Sequence, residues 1–104
     1  MRITKVTTKT GDDGKTSLAD GQRITKNHPI VNALGDLDHL NSIIGWAEVA
    51  SSNEIYSQEL KNIQQDIFNI SGDISLPDGD TALLSADRID YLEDKIKEIN
   101  NDLP

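Results

Sequence analysis

From Val31 onward the apolar residues recur at helical spacing, and the pattern predicts three helices. The first begins after Asn27-His28-Pro29, where Asn27 or His28 can cap and Pro29 suits the first turn, and runs to about Ser51. Its apolar positions, Val31, Ala33, Leu34, Leu37, Leu40, Ile43, Ile44, Trp46, Ala47, Val49 and Ala50, occupy more than one face. Such a helix wants neighbours on several sides, as at the centre of a bundle or at a subunit interface. Gly35 and Gly45 lower its helix propensity but let a backbone or ligand come close. The second helix, about Asn53 to Leu76, carries Leu60, Ile63, Ile67, Ile70 and Ile74 at alternating steps of three and four, with Phe68 widening the stripe. Pro77-Asp78-Gly79-Asp80 breaks it. Ser85 is the expected cap of the third helix, in which Ile89, Leu92, Ile96 and Ile99 repeat the spacing to about Asn100.

Ahead of the helices the sequence is polar and punctuated by glycine, and strand-like alternation is confined to Ile3 to Thr8. The expected fold is all-α: an up-and-down helix bundle with an irregular N-terminal arm over residues 1–29 and helices over 30–104, in one domain. Two partner helices do not account for the broad apolar surface of the first, so further helices are expected, from the same protein or from other subunits.

Composition narrows the chemistry. The 104 residues contain no cysteine, which excludes disulfides, thiolate metal sites and a cysteine nucleophile. The N-terminus lacks the apolar run of a signal peptide and no stretch reaches membrane-spanning length, so a soluble, cytoplasmic protein without a membrane partner is expected. A net charge of −8 argues against nucleic acid as a partner. That charge is unevenly distributed: residues 1–29 hold six Lys or Arg against three acids, and residues 30–104 hold four against fifteen. Cationic charge is concentrated in the arm, where a small anion can be held, although a flexible basic leader gives the same asymmetry.

Within the arm, Thr7-Thr8-Lys9-Thr10-Gly11-Asp12-Asp13-Gly14-Lys15-Thr16-Ser17 supplies hydroxyls, glycines and lysines. Backbone N–H groups on a Gly-rich turn, hydroxyls and a lysine point charge are what a phosphate chain requires. Asp12 or Asp13 can orient a lysine or reach Mg²⁺ through water. The spacing is not that of a Walker A loop, and neither acidic cluster has the alternation of an EF-hand. On composition alone a hydrophilic tight turn around Asp13-Gly14 is the better explanation of the segment.

Thr8 to Gly14, followed by Gly21-Gln22-Arg23-Ile24-Thr25-Lys26, resembles the ATP-binding N-terminus of the PduO-type ATP:cob(I)alamin adenosyltransferases. Ala33 to Gly45, Ile63 to Phe68, Gly72 to Pro77 and Leu92 to Ile96 resemble further segments of that family in the same order. The resemblance implies a ferritin-like five-helix bundle assembled as a homotrimer. It also implies transfer of the 5′-deoxyadenosyl group of ATP to cob(I)alamin with release of triphosphate. ATP, Mg²⁺ and the corrinoid are the implied ligands, and a reductase or a B12-dependent enzyme is an implied partner.

Carried over by position, Thr8, Lys9, Thr10, Gly11, Thr16, Ser17 and Lys26 would line the ATP site. Asp38 would form an intersubunit ion pair with an arginine of a later helix, and Asn41 would support the same region, although a solvated helix-face acid accounts for Asp38 and a buried helix amide for Asn41. No catalytic residue or metal ligand is assigned, because the nucleophile is the cofactor's own cobalt. Departures from the family pattern are His39 in place of a usual Glu and Ile30 in place of a usual basic residue. The family's Pro-Gly-Gly loop and Arg-rich later helix have no counterpart within these residues, so the segment is expected to be the N-terminal portion of the fold. The alternative reading is a catalytically incomplete helical module that binds a nucleotide or another chain.

Overall fold

A computed structural model describes residues 14–19, 21–76 and 82–104. Two short strands, β1 (Lys15–Ser17) and β2 (Arg23–Thr25), precede three helices, α1 (Pro29–Ala50), α2 (Glu54–Ser75) and α3 (Ala86–Asn101). The helices match the periodicity to within a residue or two at each end. The hairpin was not legible in the pattern, and the expected strand character of residues 3–8 lies outside the described residues.

The helix starts have three different chemistries. At α1, Nδ1 of His28 accepts from the Ile30 amide at 3.1 Å, which settles the choice between Asn27 and His28, and Pro29 occupies the first turn. At α2, Oδ1 of Asn53 accepts from the amides of Ile55 and Tyr56. At α3, Ser85 occupies the cap position but makes no side-chain capping bond. The carboxylate of Asp73, on α2, holds the residues just ahead of that cap, accepting from the amides of Leu83 and Leu84 at 2.6 and 3.2 Å.

The short connection between Ala50 and Glu54 makes α1 and α2 antiparallel neighbours. Their contact is tight at Gly45, where an added Cβ would stand 3.0 Å from Nε2 of Gln64. That Nε2 donates to the Asn41 carbonyl at 3.2 Å. Farther along, Ser57 donates to Glu48 at 2.7 Å and Lys61 lies 3.4 Å from the same carboxylate. The Ser57 hydrogen bond, with help from Lys61, holds the Glu48 carboxyl below the ordinary carboxylate range.

The attachment of α3 is polar. Arg88 donates from Nε and Nη2 to the two carboxylate oxygens of Asp66, both at 2.8 Å, and Asp66 is 6% exposed. Tyr91 donates to Glu59 Oε1, and the Arg88 guanidinium lies 4.8 Å from the Tyr91 ring centre. The backbones of α2 and α3 stay farther apart than those of α1 and α2, so long side chains span the gap.

Little of the apolar surface is covered. Among the described residues the buried apolar side chains are Leu18, Ile24 and Ile67, while Trp46 and Val49 are 76% and 80% exposed. The radius of gyration is 17.1 Å, against about 13 Å for a compact domain of this length. The broad apolar surface of α1 is therefore open, as its pattern implies. No helix among the described residues is long and apolar enough to cross a membrane.

Two expected outcomes test this packing. Arg88→Ala leaves Asp66 buried without its counter-charge and should lower stability by about 2 to 3 kcal/mol in chemical denaturation, whereas Arg88→Met combined with Asp66→Leu should recover most of the loss. Tyr91 is held above the ordinary tyrosine range, first by its hydrogen bond to Glu59. Its folded-state value is raised, so its contribution is full below the unfolded pKa and is lost as pH rises through the folded one. In a Tyr56→Phe background, ultraviolet titration should show tyrosinate forming at lower pH once Glu59→Gln is introduced. An unmoved titration would remove Glu59 as the cause.

Candidate functional site

The arm enters the fold through its hairpin. Gly14 and Gly21 have φ of +80° and +85°, values that favour glycine, and these set the two ends of the hairpin. Between them Lys15 pairs with Thr25, Thr16 with Ile24 and Ser17 with Arg23. Amide bonds from Leu18 to the Gln22 carbonyl and from Lys26 to the Gly14 carbonyl, at 2.9 and 3.0 Å, close it at either end.

Strand alternation then sorts the side chains. Ile24 is buried with half-buried Thr16 as its partner, and Leu18 is buried at the loop end. Lys15, Ser17, Arg23 and Thr25 share the exposed face, where Arg23 Nη1 donates to Ser17 Oγ at 3.0 Å. Lys26 follows in an exposed turn, and the His28 amide bonds back to the Thr25 carbonyl at 3.0 Å, so the hairpin runs straight into α1. The cationic side chains thus stand on the outer side of a hairpin pinned by its inner apolar side.

The loop end of this hairpin abuts a cavity of about 290 Å³ between α1 and α2, lined by Ala19, Asp38, Asn41, Ile67, Phe68, Ser71, Gly72 and Ser75. Asp38 and Asn41 lie nearly one turn apart on α1 and so meet the same space. Among the described residues Oδ1 of Asn41 is buried with no hydrogen-bond partner, while the Asn41 backbone carbonyl is held by Gln64. Ser71 and Ser75 face it from α2, with the Ser75 hydroxyl donating to the Ser71 carbonyl at 2.8 Å. Asp38 is exposed, and among the described residues its carboxylate is in no ion pair.

The expected site residues thus divide into three groups. Thr8, Lys9, Thr10 and Gly11 lie outside the described residues. Thr16, Ser17 and Lys26 sit on the hairpin, but Thr16 and Ser17 point to opposite faces of it. Asp38 and Asn41 come together at the cavity, to which the hairpin contributes Ala19. Sequence reasoning missed Ser71 and Ser75, whose spacing of one helical turn was the available signal. His39, the departure from the family pattern, is exposed. Among the described residues no group of three or more His, Asp or Glu is placed to hold a metal ion, and Asp12 and Asp13 lie outside them.

Comparison with known proteins aligns almost the whole chain. The family described as Cobalamin adenosyltransferase matches residues 6–104. A cobalamin adenosyltransferase of Cupriavidus metallidurans is 40% identical over 104 residues, 99% of this chain and 55% of the relative. The corrinoid adenosyltransferase PduO of Salmonella typhimurium is 46% identical over 61 residues, 59% of this chain and 18% of the relative. A solved structure, a variant PduO-type ATP:corrinoid adenosyltransferase from Lactobacillus reuteri complexed with cobalamin and ATP, superposes with a TM-score of 0.88 at 32% identity. That superposition covers 96% of this chain and 57% of the solved one. The chain therefore spans little more than half of the relatives that it matches from end to end.

The hairpin's dependence on its positive-φ turn is open to measurement. Gly21→Ala places a Cβ on a backbone at φ +85° and should destabilise the hairpin by about 1 kcal/mol, with native-state exchange of the Leu18 amide accelerated roughly fivefold. Unchanged exchange at Leu18 would show that the hairpin is held by its apolar face alone.

Proposed function

The chain belongs to the cobalamin adenosyltransferase family, and from that premise we propose that it forms the ATP-binding arm and part of the corrinoid pocket of an ATP:cob(I)alamin adenosyltransferase. The observation that carries this reading is the joining of an exposed cationic hairpin to a polar cavity containing the unpartnered Asn41 oxygen. In the reaction, the cobalt(I) electron pair forms a bond to C5′ of ATP as the C5′–O bond breaks, and triphosphate departs with that bonding pair. The protein supplies no nucleophile; its work is positioning and charge stabilisation.

Lys26 and Lys9 counter the triphosphate charge, and Thr8, Thr10, Gly11 and Ser17 offer hydroxyls and close backbone approach. Thr16 supports this surface from the inner face of the hairpin. Asp38 and Asn41 act as positioning residues at the cavity, Asn41 as an acceptor for an N–H or O–H of the bound substrate and Asp38 as one half of an ion pair completed by another subunit. Mg²⁺ accompanies ATP as its usual counter-ion. Asp12 or Asp13 can reach it through water, while lysine charge meets the phosphates directly.

A homotrimer is the assembly this reading adopts, supported by the uncovered apolar surface of α1. The cytoplasm is the compartment this reading adopts, and a reductase that supplies cobalt(I) is the partner the chemistry requires. The chain forms one domain with the remaining family helices, which complete the pocket.

The decisive assay mixes the chain with ATP, Mg²⁺ and chemically reduced cob(I)alamin and follows the visible spectrum for adenosylcobalamin. No conversion by a folded sample sinks catalysis by these 104 residues and leaves the nucleotide-binding module. For the site itself, Lys26→Ala should weaken ATP binding about tenfold in calorimetry, with Lys61→Ala, on the α1/α2 contact, near wild type. Equal effects would refute the assignment.

A further inference from the structure

We propose that Arg23 is a positioning residue of the arm, which turns the hydroxyl of Ser17 into a donor aimed at the triphosphate of ATP. Arg23 has no part in the ATP-binding reading above, on which this assignment rests.

Ser17 and Arg23 stand directly opposite each other on β1 and β2, at the last rung before the loop. Both side chains are on the exposed face, and Arg23 Nη1 donates to Ser17 Oγ at 3.0 Å. A serine hydroxyl has one proton to give and two lone pairs. Once a lone pair is taken by a guanidinium N–H, the O–H bond has to point away from the cation, and the hydroxyl faces outward as a donor. The adjacent positive charge also polarises the oxygen, which makes that proton the stronger donor.

The surroundings select the acceptor. The neighbouring rung, Lys15 opposite Thr25, again sets a cation against a hydroxyl on the same face. Neither strand, nor Lys26 beyond them, carries an acid, although the whole chain has a net charge of −8. An acceptor suited to this face is anionic and has several oxygens, as a polyphosphate does. The backbone beneath is held by buried Ile24 and Leu18 and by the bond from the Leu18 amide to the Gln22 carbonyl. Ser17 is therefore oriented before ATP arrives, and little freedom is lost on binding. As the C5′–O bond breaks, negative charge grows on the triphosphate, and a donor backed by a cation gains strength with it.

The test titrates the whole chain with ATP and with inorganic triphosphate in calorimetry. Arg23→Ala should weaken both about tenfold, because the contact it supports is made to phosphate. In a Ser17→Ala background the same change should cost only about threefold, since the path through the hydroxyl is already gone. Arg23→Gln keeps an N–H for Ser17 without the charge and should fall between the wild type and Arg23→Ala. Lys97→Ala, which removes an exposed charge on α3, should bind as the wild type does. Native-state exchange of the Leu18 amide reports on the hairpin itself and should be unmoved by Arg23→Ala. Should it accelerate, Arg23→Gln with and without Ser17→Ala decides. Equal losses in the two Ser17 backgrounds, or a loss for ATP that triphosphate does not share, overturn the positioning role. Weakened binding by Lys26→Ala then leaves the ATP-binding arm standing. A folded chain that binds neither ATP nor triphosphate overturns both.

Discussion

The close approach of α1 and α2 governs the rest of the fold. Gly45 leaves out the side chain that would meet Gln64, and Gln64 uses the space to reach the Asn41 carbonyl. Ser57 and Lys61 grip Glu48 near the other end of the pair, beside a reversal capped by Asn53. With those two helices in register, Asp38 and Asn41 share one cavity with Ser71 and Ser75, and the loop end of the hairpin has a surface to lie on. Local geometry at one glycine thus reaches the candidate chemistry through packing: a bulkier residue would displace Gln64, loosen α1 at Asn41 and move the acceptor that the cavity contains.

The third helix is attached on different terms. Asp66 with Arg88, Glu59 with Tyr91 and Asp73 with the amides of Leu83 and Leu84 direct its position with polar bonds. Directional bonds specify a register but remove little apolar surface from water, and an ion pair largely offsets its own desolvation. The apolar stripes of α2 and α3 consequently face an open groove, and α1 keeps an exposed ridge. Recognition of an anion requires the opposite surface, charged and wet, and that surface is on the hairpin. The two demands are met by separate parts of the chain, which allows the helices to assemble without burying the arm.

How far this was legible in the sequence depends on the range of each interaction. Helices of sixteen residues or more carry enough repeats of three and four for their stripes to be read, and Pro29 marks where the first starts and Pro77 where the second has stopped. Strands of three residues carry a single alternation, so Thr16 and Ile24 looked like any polar turn. Ser85 was legible as the cap position of α3, but the hold of Asp73 on the amides of Leu83 and Leu84 just ahead of it was not, because spacing along the chain does not report that encounter. Arg88 with Asp66 was invisible for the same reason. Asp38 and Asn41 were found through the order of family motifs; their shared cavity could be anticipated from helical spacing, but the serines opposite belong to the tertiary contact. Thr8 to Gly11 remain expectations from the family pattern.

Two acceptors set the cavity and the trough between α2 and α3 apart. Among the described residues Asn41 Oδ1 and Glu59 Oε2 are buried and find no partner, and an unsatisfied buried acceptor costs on the order of 1 to 3 kcal/mol, a large share of the stability of a small domain. Their surroundings differ. Asn41 borders a cavity with a carboxylate and two serines, where water or a polar ligand can donate, so its acceptor is suited to exchange between solvent and substrate. Glu59 borders a trough lined mainly by isoleucine, leucine and tyrosine, where a water molecule has few other partners to hold it. A donor fixed to an apolar element meets that need better than water does. The polar cavity is therefore suited to a polar ligand, and the apolar trough to an apolar cover.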